Sequence, residues 1–340
     1  MAQAYRGSGG SEPEGTGSRL RRRLHELRRD PGIWRRGLVT AGVALLLTLV
    51  MVFHAELPNS VGNTGSLIET FLPWLGLLVP VLAALAVWRT SATALLATAL
   101  AAAVWLNFFG GLVTDKSGGG GNLTVATHNV DADNPDQHGT AEKIADSGAD
   151  VLALTELKAS AVPVYEGVLA KTYKYHQVEG TVGVWSKYPL SDPAPVDIRL
   201  GWTRAMRATV DTDHGPVAVY VAHLPSVRVK LNAGFTANQR DDSADALGRA
   251  LAAEPIKKVI LLGDLNGTMN DRALSPVTSQ MRSTQGAAGD GFGFSWPAGF
   301  PLARIDQIMV RGVKPEASWT LPATGSDHLP VAARVTVPHA

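Results

Sequence analysis

KKVILLGDLNG, residues 257–267, reads as a short buried strand running into a polar turn that carries Asp264 and Asn266. Five further segments share this form, a brief apolar run ending in or next to a polar side chain. They are THNV (127–130) with Asn129, LTELK (154–158) with Glu156, AHLP (222–225) with His223, RIDQI (304–308) with Asp306, and GSDHLP (325–330) with Asp327 and His328. The runs beside them, among them LTVAT, VLAL, VAVYVA and ARI, are the length of strands and too short for helices. Strand ends of one sheet share a rim, so these positions gather carboxylates, amides and two imidazoles. Such a rim suits divalent-metal hydrolysis of a phosphate ester: it offers hard oxygen ligands, a base for water and cations for developing charge.

Outward from these segments the pattern alternates. Strands are expected at 123–129, 151–155, 173–178, 182–185, 205–210, 217–222, 259–262, 305–310, 317–320 and 331–337, and helices at 138–147, 158–171 and 235–253. Asp136 is placed to cap the first helix. Many strands in two groups with helices outside predict two packed sheets covered on both faces. About 220 residues suffice for one substantial core.

The ordered series Asn129, Glu156, His223, GDLN (263–266), Asp306 and SDHLP (326–330) resembles the endonuclease/exonuclease/phosphatase superfamily, which includes DNase I-like nucleases, sphingomyelinases and inositol-phosphate phosphatases. The resemblance covers residues 122–337 and implies an α/β fold, a four-layer α/β/β/α sandwich. It also implies roles. Glu156 would bind Mg²⁺ or Mn²⁺ with Asn129 beside it, and Asp327 would stand on the metal side. Asp264 would orient and deprotonate water, and Asn266 would hold a phosphate oxygen. His328 as imidazolium would contact the scissile phosphate, Asp306 would pair with it and raise its pKa, and His223 would offer a second donor.

Taken singly these residues have blander readings. Asn129 or Glu156 could cap a turn, DLNG is a common strand-end turn, and a lone histidine after a strand is usually structural. His128 should face away from Asn129 on a straight strand. Asn134 carries little weight, and Arg204 and Arg207 read as structural ion-pair formers. Arg228 and Lys230, in the loop after His223, are candidates for a second phosphate.

The 340 residues contain no cysteine, which excludes disulfides, zinc–thiolate sites and thiol nucleophiles. The formal net charge of +1 hides a partition. Nine arginines precede residue 37, whereas residues 122–340 hold 20 Lys/Arg and 23 Asp/Glu, about −3. A slightly acidic domain without an aromatic–basic stripe gives no case for extended nucleic-acid binding. The expected organisation is an Arg-rich cytoplasmic segment (1–37), three transmembrane helices (38–113), a Gly-rich linker (114–121) and an extracytoplasmic catalytic domain (122–340). The apolar stretches 37–55, 67–88 and 92–113 are each long enough to cross a bilayer, with Pro73 and Pro80 kinking the second. The arginines hold the N-terminus in the cytoplasm, and three spans put the domain outside. His54, Glu69 and Asn107 read as interfacial or interhelical hydrogen bonders.

A linker of eight residues spans at most about 28 Å and keeps the domain near the bilayer. That favours a membrane lipid substrate. In architecture and motifs the chain also resembles the actinomycete teicoplanin-resistance membrane proteins of the VanJ type, which implies undecaprenyl pyrophosphate as substrate and a role in cell-wall precursor cycling. An extracytoplasmic nuclease or phospholipid phosphodiesterase is the alternative, and a catalytically silent scaffold the third. The oligomeric state is not legible.

Overall fold

The computed structural model describes residues 25, 32–59, 63–226, 228–230, 234–236 and 238–339, so most of the arginine-rich segment lies outside them. The chain divides into two compact units, one of residues 1–49 and 75–104, the other of residues 50–74 and 105–340.

The larger unit contains strands β1 (Leu123–Asn129), β2 (Val151–Thr155), β3 (Tyr175–Glu179), β4 (Val182–Ser186), β5 (Leu190–Pro195), β6 (Ala205–Thr212), β7 (Gly215–His223), β8 (Arg228–Lys230), β9 (Gly234–Thr236), β10 (Val259–Asp264), β11 (Arg282–Ser283), β12 (Asp306–Arg311), β13 (Lys314–Thr320) and β14 (Val331–Thr336). One six-stranded sheet runs β13-β14-β1-β2-β4-β3 and the other β11-β12-β10-β7-β6-β5, while β8 and β9 form a separate ribbon. Each large sheet has one parallel pair at its centre, β1 with β2 and β7 with β10, and is otherwise antiparallel.

Side-chain alternation explains how the sheets bury both faces. Leu123 and Val125 of β1 join Ala153, Val219, Ile260, Leu262 and Ile308 in a core between the sheets. Ala126 faces the other way, with Leu152, Trp185, Ile144 and Tyr165, under helices Gln137–Ala145 and Val162–Leu169. On the far side, Tyr220 and Leu261 pack against Leu247 and Leu251 of helix Asn238–Ala253. Two mixed sheets flanked by helices result, as the motif series implied.

Local departures have local causes. Asp136 caps the first helix of this unit by accepting from the Gly139 N–H. The expected helix over 158–171 forms only at Val162–Leu169, with Pro163 in its first turn. Strand β5, LSDPAP, was not expected. Its two prolines are tolerated because it is an edge strand with a register shift between Ser191 and Ala194. The glycine-rich linker lies along the domain edge: Gly118 N–H donates to Glu316 O (2.5 Å), and Arg334 donates to Gly118 O and Gly120 O.

His128 is fully buried and meets Thr324 Oγ1 through Nε2 at 2.9 Å. Burial pushes its pKa down to about 3, against a partial pull upward from Asp306. The folded value is depressed below the ordinary imidazole value of 6.5. The stability tied to neutral His128 is therefore complete above about 6.5 and is lost as pH falls toward about 3. At roughly 1.4 kcal/mol per pH unit, acidification from pH 6.5 to 5 should cost about 2 kcal/mol. Melting curves over that range should be visibly flatter for His128→Gln. An unchanged pH slope would show that His128 does not carry the effect.

The smaller unit is helical. Ala41, Ala44, Ala86, Ala94, Ala97 and Ala101 are buried, so its helices approach closely through small side chains, whereas Leu46, Leu49, Val81, Trp88 and Leu96 are exposed. Of the three expected spans, one forms an unbroken helix of spanning length among the described residues. Ala92–Leu112, at 21 residues, is the one described helix long and apolar enough to cross a membrane. The stretch 67–88 instead breaks into Thr64–Thr70 and Leu72–Trp88, bent by 70°. The α-helix ends just ahead of Pro73, which lacks an N–H and restricts the residue before it. The first stretch forms Leu38–Val52, whose 15 residues extend about 22 Å against a hydrocarbon core of about 30 Å.

Candidate active site

Sheet register assembles the site. In the second sheet Asp264 pairs with His223 on one side and Asp306 on the other. In the first, Asn129 pairs with Thr155, so Glu156 follows directly beside it. Both parallel pairs thus end at one rim, the usual place for a site in α/β sheets. Two backbone features aim the groups. Gly263 has φ +140°, and a Cβ there would fall 1.9 Å from Ala222 O, so only glycine lets β10 turn Asp264 into place. Glu156 (φ 61°) and Asn266 (φ 46°) are left-handed without being glycine, a strain that surrounding hydrogen bonds must hold.

Those bonds are specific. Asn129 Nδ2 donates to Glu156 Oε1 (3.1 Å) and to Asp264 Oδ2 (3.0 Å), bridging the sheets. Ala132 N–H donates to Glu156 Oε2 (3.1 Å). Asp264 also accepts from the Asn266 backbone N–H (2.8 Å) and from Asn266 Nδ2 (3.2 Å). His328 Nδ1 donates to Asp306 Oδ2 at 2.8 Å, and Ser295 Oγ donates to the same oxygen at 2.6 Å.

The electrostatics separate base from cation. Burial, and then the Asp306 charge, push Asp264 up to about 7. Burial opposes a charge on His328, but Asp306, Asp264 and Asp327 outweigh it and carry the imidazole up to about 10. Burial likewise opposes ionised Asp306, yet the His328 charge and the His328 and Ser295 hydrogen bonds hold it below the ordinary carboxylate range. His223 is driven well below its usual value by burial and by the charges of Arg204 and His328, so it is neutral. Its Nε2 lies 3.4 Å from Glu156 Oε1 and 3.8 Å from Asp264 Oδ2.

A divalent cation fits one end of this arrangement better than the other. Asp264, Asp306 and His328 place their donor atoms within 4.8 Å of one another. Yet Asp306 Oδ2 is engaged twice and His328 is cationic, which repels a metal and denies it a nitrogen lone pair. Glu156 is the better anchor: its side chain is 31 % exposed, lines the cleft with Asp131 and Asp264, and is fixed by Asn129 and Ala132. Asp327 lines the same cleft from the His328 side, at 3.8 Å from His328 Nε2, and accepts from Trp296 Nε1.

The structure brings Asn129, Glu156, His223, Asp264, Asn266, Asp306, Asp327 and His328 to this rim. The side chains of Arg228 and Lys230 lie outside those described. His128 faces away, and Asn134 orders its loop by donating to Val130 O and Thr140 Oγ1. Two contributors were missed. Arg204, read as a structural ion-pair former, lies against the His223 ring and over Trp202; burial lowers its pKa, against a partial pull upward from Glu156 and Asp264. Only the β6–β7 register, in which His223 N–H donates to Arg204 O, reveals this. The second is the segment before the domain: Leu67, Thr70 and Phe71 line the same cleft as Asp264 and His328.

Residues 126–328 match the model of the endonuclease/exonuclease/phosphatase family. The chain belongs to this family. It is accordingly a metal-dependent phosphoesterase. Solved structures share the fold at low identity. A functionally unknown conserved protein from Enterococcus faecalis V583 aligns with a TM-score of 0.53 at 16 % identity, covering 63 % of this chain and 99 % of that one. Beta toxin from Staphylococcus aureus gives 0.51 at 15 % (62 % and 99 % covered), and humanized D. rerio TDP2 gives 0.52 at 19 % (63 % and 98 %). No curated protein matches the chain.

Proposed function

We propose that this phosphoesterase acts on lipid-borne phosphate at the outer face of a cell membrane, with undecaprenyl pyrophosphate as substrate. The observation that carries the reading is the cleft wall: Leu67, Thr70 and Phe71, from the apolar N-terminal half, stand beside Asp264 and His328. A soluble substrate needs no such wall, whereas a lipid headgroup approaches along it. The exposed leucines and valines of the helices add support, because such surface is costly in water and neutral in hydrocarbon. The topology that fits has a cytoplasmic N-terminus and an extracytoplasmic catalytic domain. The resemblance to teicoplanin-resistance membrane proteins points the same way, and carrier-lipid dephosphorylation would alter cell-wall precursor cycling and glycopeptide susceptibility.

In this reading Asp264, with its pKa near working pH, accepts a proton from water as that water attacks the terminal phosphorus. The bond from phosphorus to the bridging oxygen breaks, leaving polyprenyl monophosphate and inorganic phosphate. Asn266 fixes a phosphate oxygen. His328, a cation held by Asp306, and Arg204 meet the charge that gathers on the others. Glu156 and Asn129 would hold Mg²⁺ or Mn²⁺, which supplies Lewis-acid polarisation of the phosphate when bound.

The test is phosphate release from undecaprenyl pyrophosphate by detergent-purified protein with Mg²⁺, Mn²⁺ or EDTA, beside duplex DNA and sphingomyelin. Metal-dependent release is expected. In Arg204→Ala, kcat/KM should fall by roughly 10–100-fold, as for loss of a charged hydrogen bond. Cleavage of DNA or sphingomyelin with no phosphate release would overturn the substrate and leave the phosphoesterase assignment in place.

A further inference from the structure

On the other side of Thr70 lies a second cavity, of about 260 Å³, that the hydrolytic groups do not use. Thr70 lines both it and the catalytic cleft, so the two spaces are neighbours. Its walls include Pro73, Phe108, Phe109, Phe292 and Phe294. The aromatic rings form a connected set: Phe292 stacks on Phe294 at 5.1 Å and meets Phe109 at 6.4 Å, and Trp74 stacks on Phe294 at 5.6 Å. Two indoles fix the walls, Trp74 Nε1 donating to Leu302 O (2.7 Å) and Trp105 Nε1 to Pro73 O (2.8 Å).

We propose that this cavity receives the first segment of the apolar chain attached to the phosphate hydrolysed at Asp264 and His328, an inference that rests on the lipid-phosphate reading above. Three observations select that occupant. The cavity and the reaction cleft share Thr70 as a wall, so the cavity is next to a chain leaving the phosphate past Leu67, Thr70 and Phe71. Its volume is below the ~300–1,000 Å³ of pockets that enclose a whole drug-sized ligand, which suits part of a chain. The phenylalanine walls remove hydrocarbon from water.

The experiment compares farnesyl pyrophosphate with isopentenyl pyrophosphate, which share a headgroup and differ in chain length, using full-length protein in detergent. Two substitutions add bulk at lining residues without removing a wall. Gly286→Leu adds a side chain whose Cβ lies 3.6 Å from Ser283 Cβ, and Gly111→Leu adds one whose Cβ meets only Lys116 Nζ at 3.8 Å. Wild type should favour the farnesyl substrate by at least about tenfold in kcat/KM, since each buried methylene contributes roughly fourfold. Either bulkier variant should erase that preference by raising the farnesyl KM and leave isopentenyl turnover unchanged. A preference that survives both substitutions, or an equal loss on both substrates, overturns the cavity assignment while the lipid-phosphate reading stands. Release from neither substrate, with DNA or sphingomyelin cleaved instead, overturns both.

Discussion

Asp264→Asn is expected to lower kcat/KM by about 10²–10⁴-fold, the usual contribution of a positioned general base, with little loss of thermal stability. The carboxylate is 1 % exposed, and its pKa is raised from 3.8 to about 7, first by burial and then by Asp306. Because the folded value exceeds the unfolded one, ionisation costs the folded protein progressively above 3.8 and fully above about 7. Asparagine is free of that cost. It loses part of the acceptor set for Asn129 Nδ2, Asn266 Nδ2 and the Asn266 N–H, and the two effects oppose. The wild-type rate should rise with pH up to about 7 as Asp264 loses its proton, and the variant should lack this limb. A variant within tenfold of wild type, with the limb intact, would place the base elsewhere.

Glu69→Ala should have the largest effect on stability. Glu69 is fully buried in the short helix Thr64–Thr70, yet its partners belong to the loop that follows the catalytic strand. Its carboxylate accepts from Arg272 Nε (2.9 Å) and the Arg272 backbone N–H (3.3 Å), with His54 Nδ1 at 3.6 Å. Thr268 Oγ1 donates to Glu69 O (3.3 Å). The same loop is tied to the site through Arg240, which pairs with Asp271 at 2.5 Å and donates to Asn266 O at 2.9 Å. Removing one partner of a buried ion pair costs about 3–5 kcal/mol, or roughly 6–20 °C of melting temperature for a unit of this size. Turnover should fall as well, because Asn266 lies in this loop and hydrogen-bonds Asp264 at the end of β10. Glu69→Gln keeps the acceptor oxygen and should recover part of both. An unchanged melting temperature and rate in Glu69→Ala would show that the N-terminal segment only tethers the domain.

That ion pair marks where legibility ended. Glu69 read as an interfacial polar residue because sequence places it at the edge of an apolar stretch, more than two hundred positions from Arg272. The kink expected in the second span is a bend of 70°, and its size is likewise not a property of composition. Composition measures apolarity, but Pro73 breaks the helix, and the broken segment can then turn its polar groups toward the domain. Arg204 was undervalued because its importance lies across a strand pairing, and the prolines of β5 hid an edge strand whose partner tolerates them.

What the sequence determined by itself is the set of groups and their order. Each of Asn129, Glu156, His223, Asp264, Asp306 and His328 is fixed by its own neighbours, an apolar run that buries a strand and a turn that exposes its end. That information is local, so it survives reading in one dimension, and it specified the α/β class and the chemistry together. Only the tertiary structure decided how those groups differ in charge. Asp264 is pushed up to about 7 while Asp306 is held down, although both are buried carboxylates on adjacent strands. The difference comes from His328, whose imidazolium hydrogen-bonds Asp306 at 2.8 Å while its other nitrogen stands 3.9 Å from Asp264, and from Ser295, which also donates to Asp306. Burial and pairing are properties of three-dimensional neighbours, and the same holds for the wall that Leu67, Thr70 and Phe71 give the cleft.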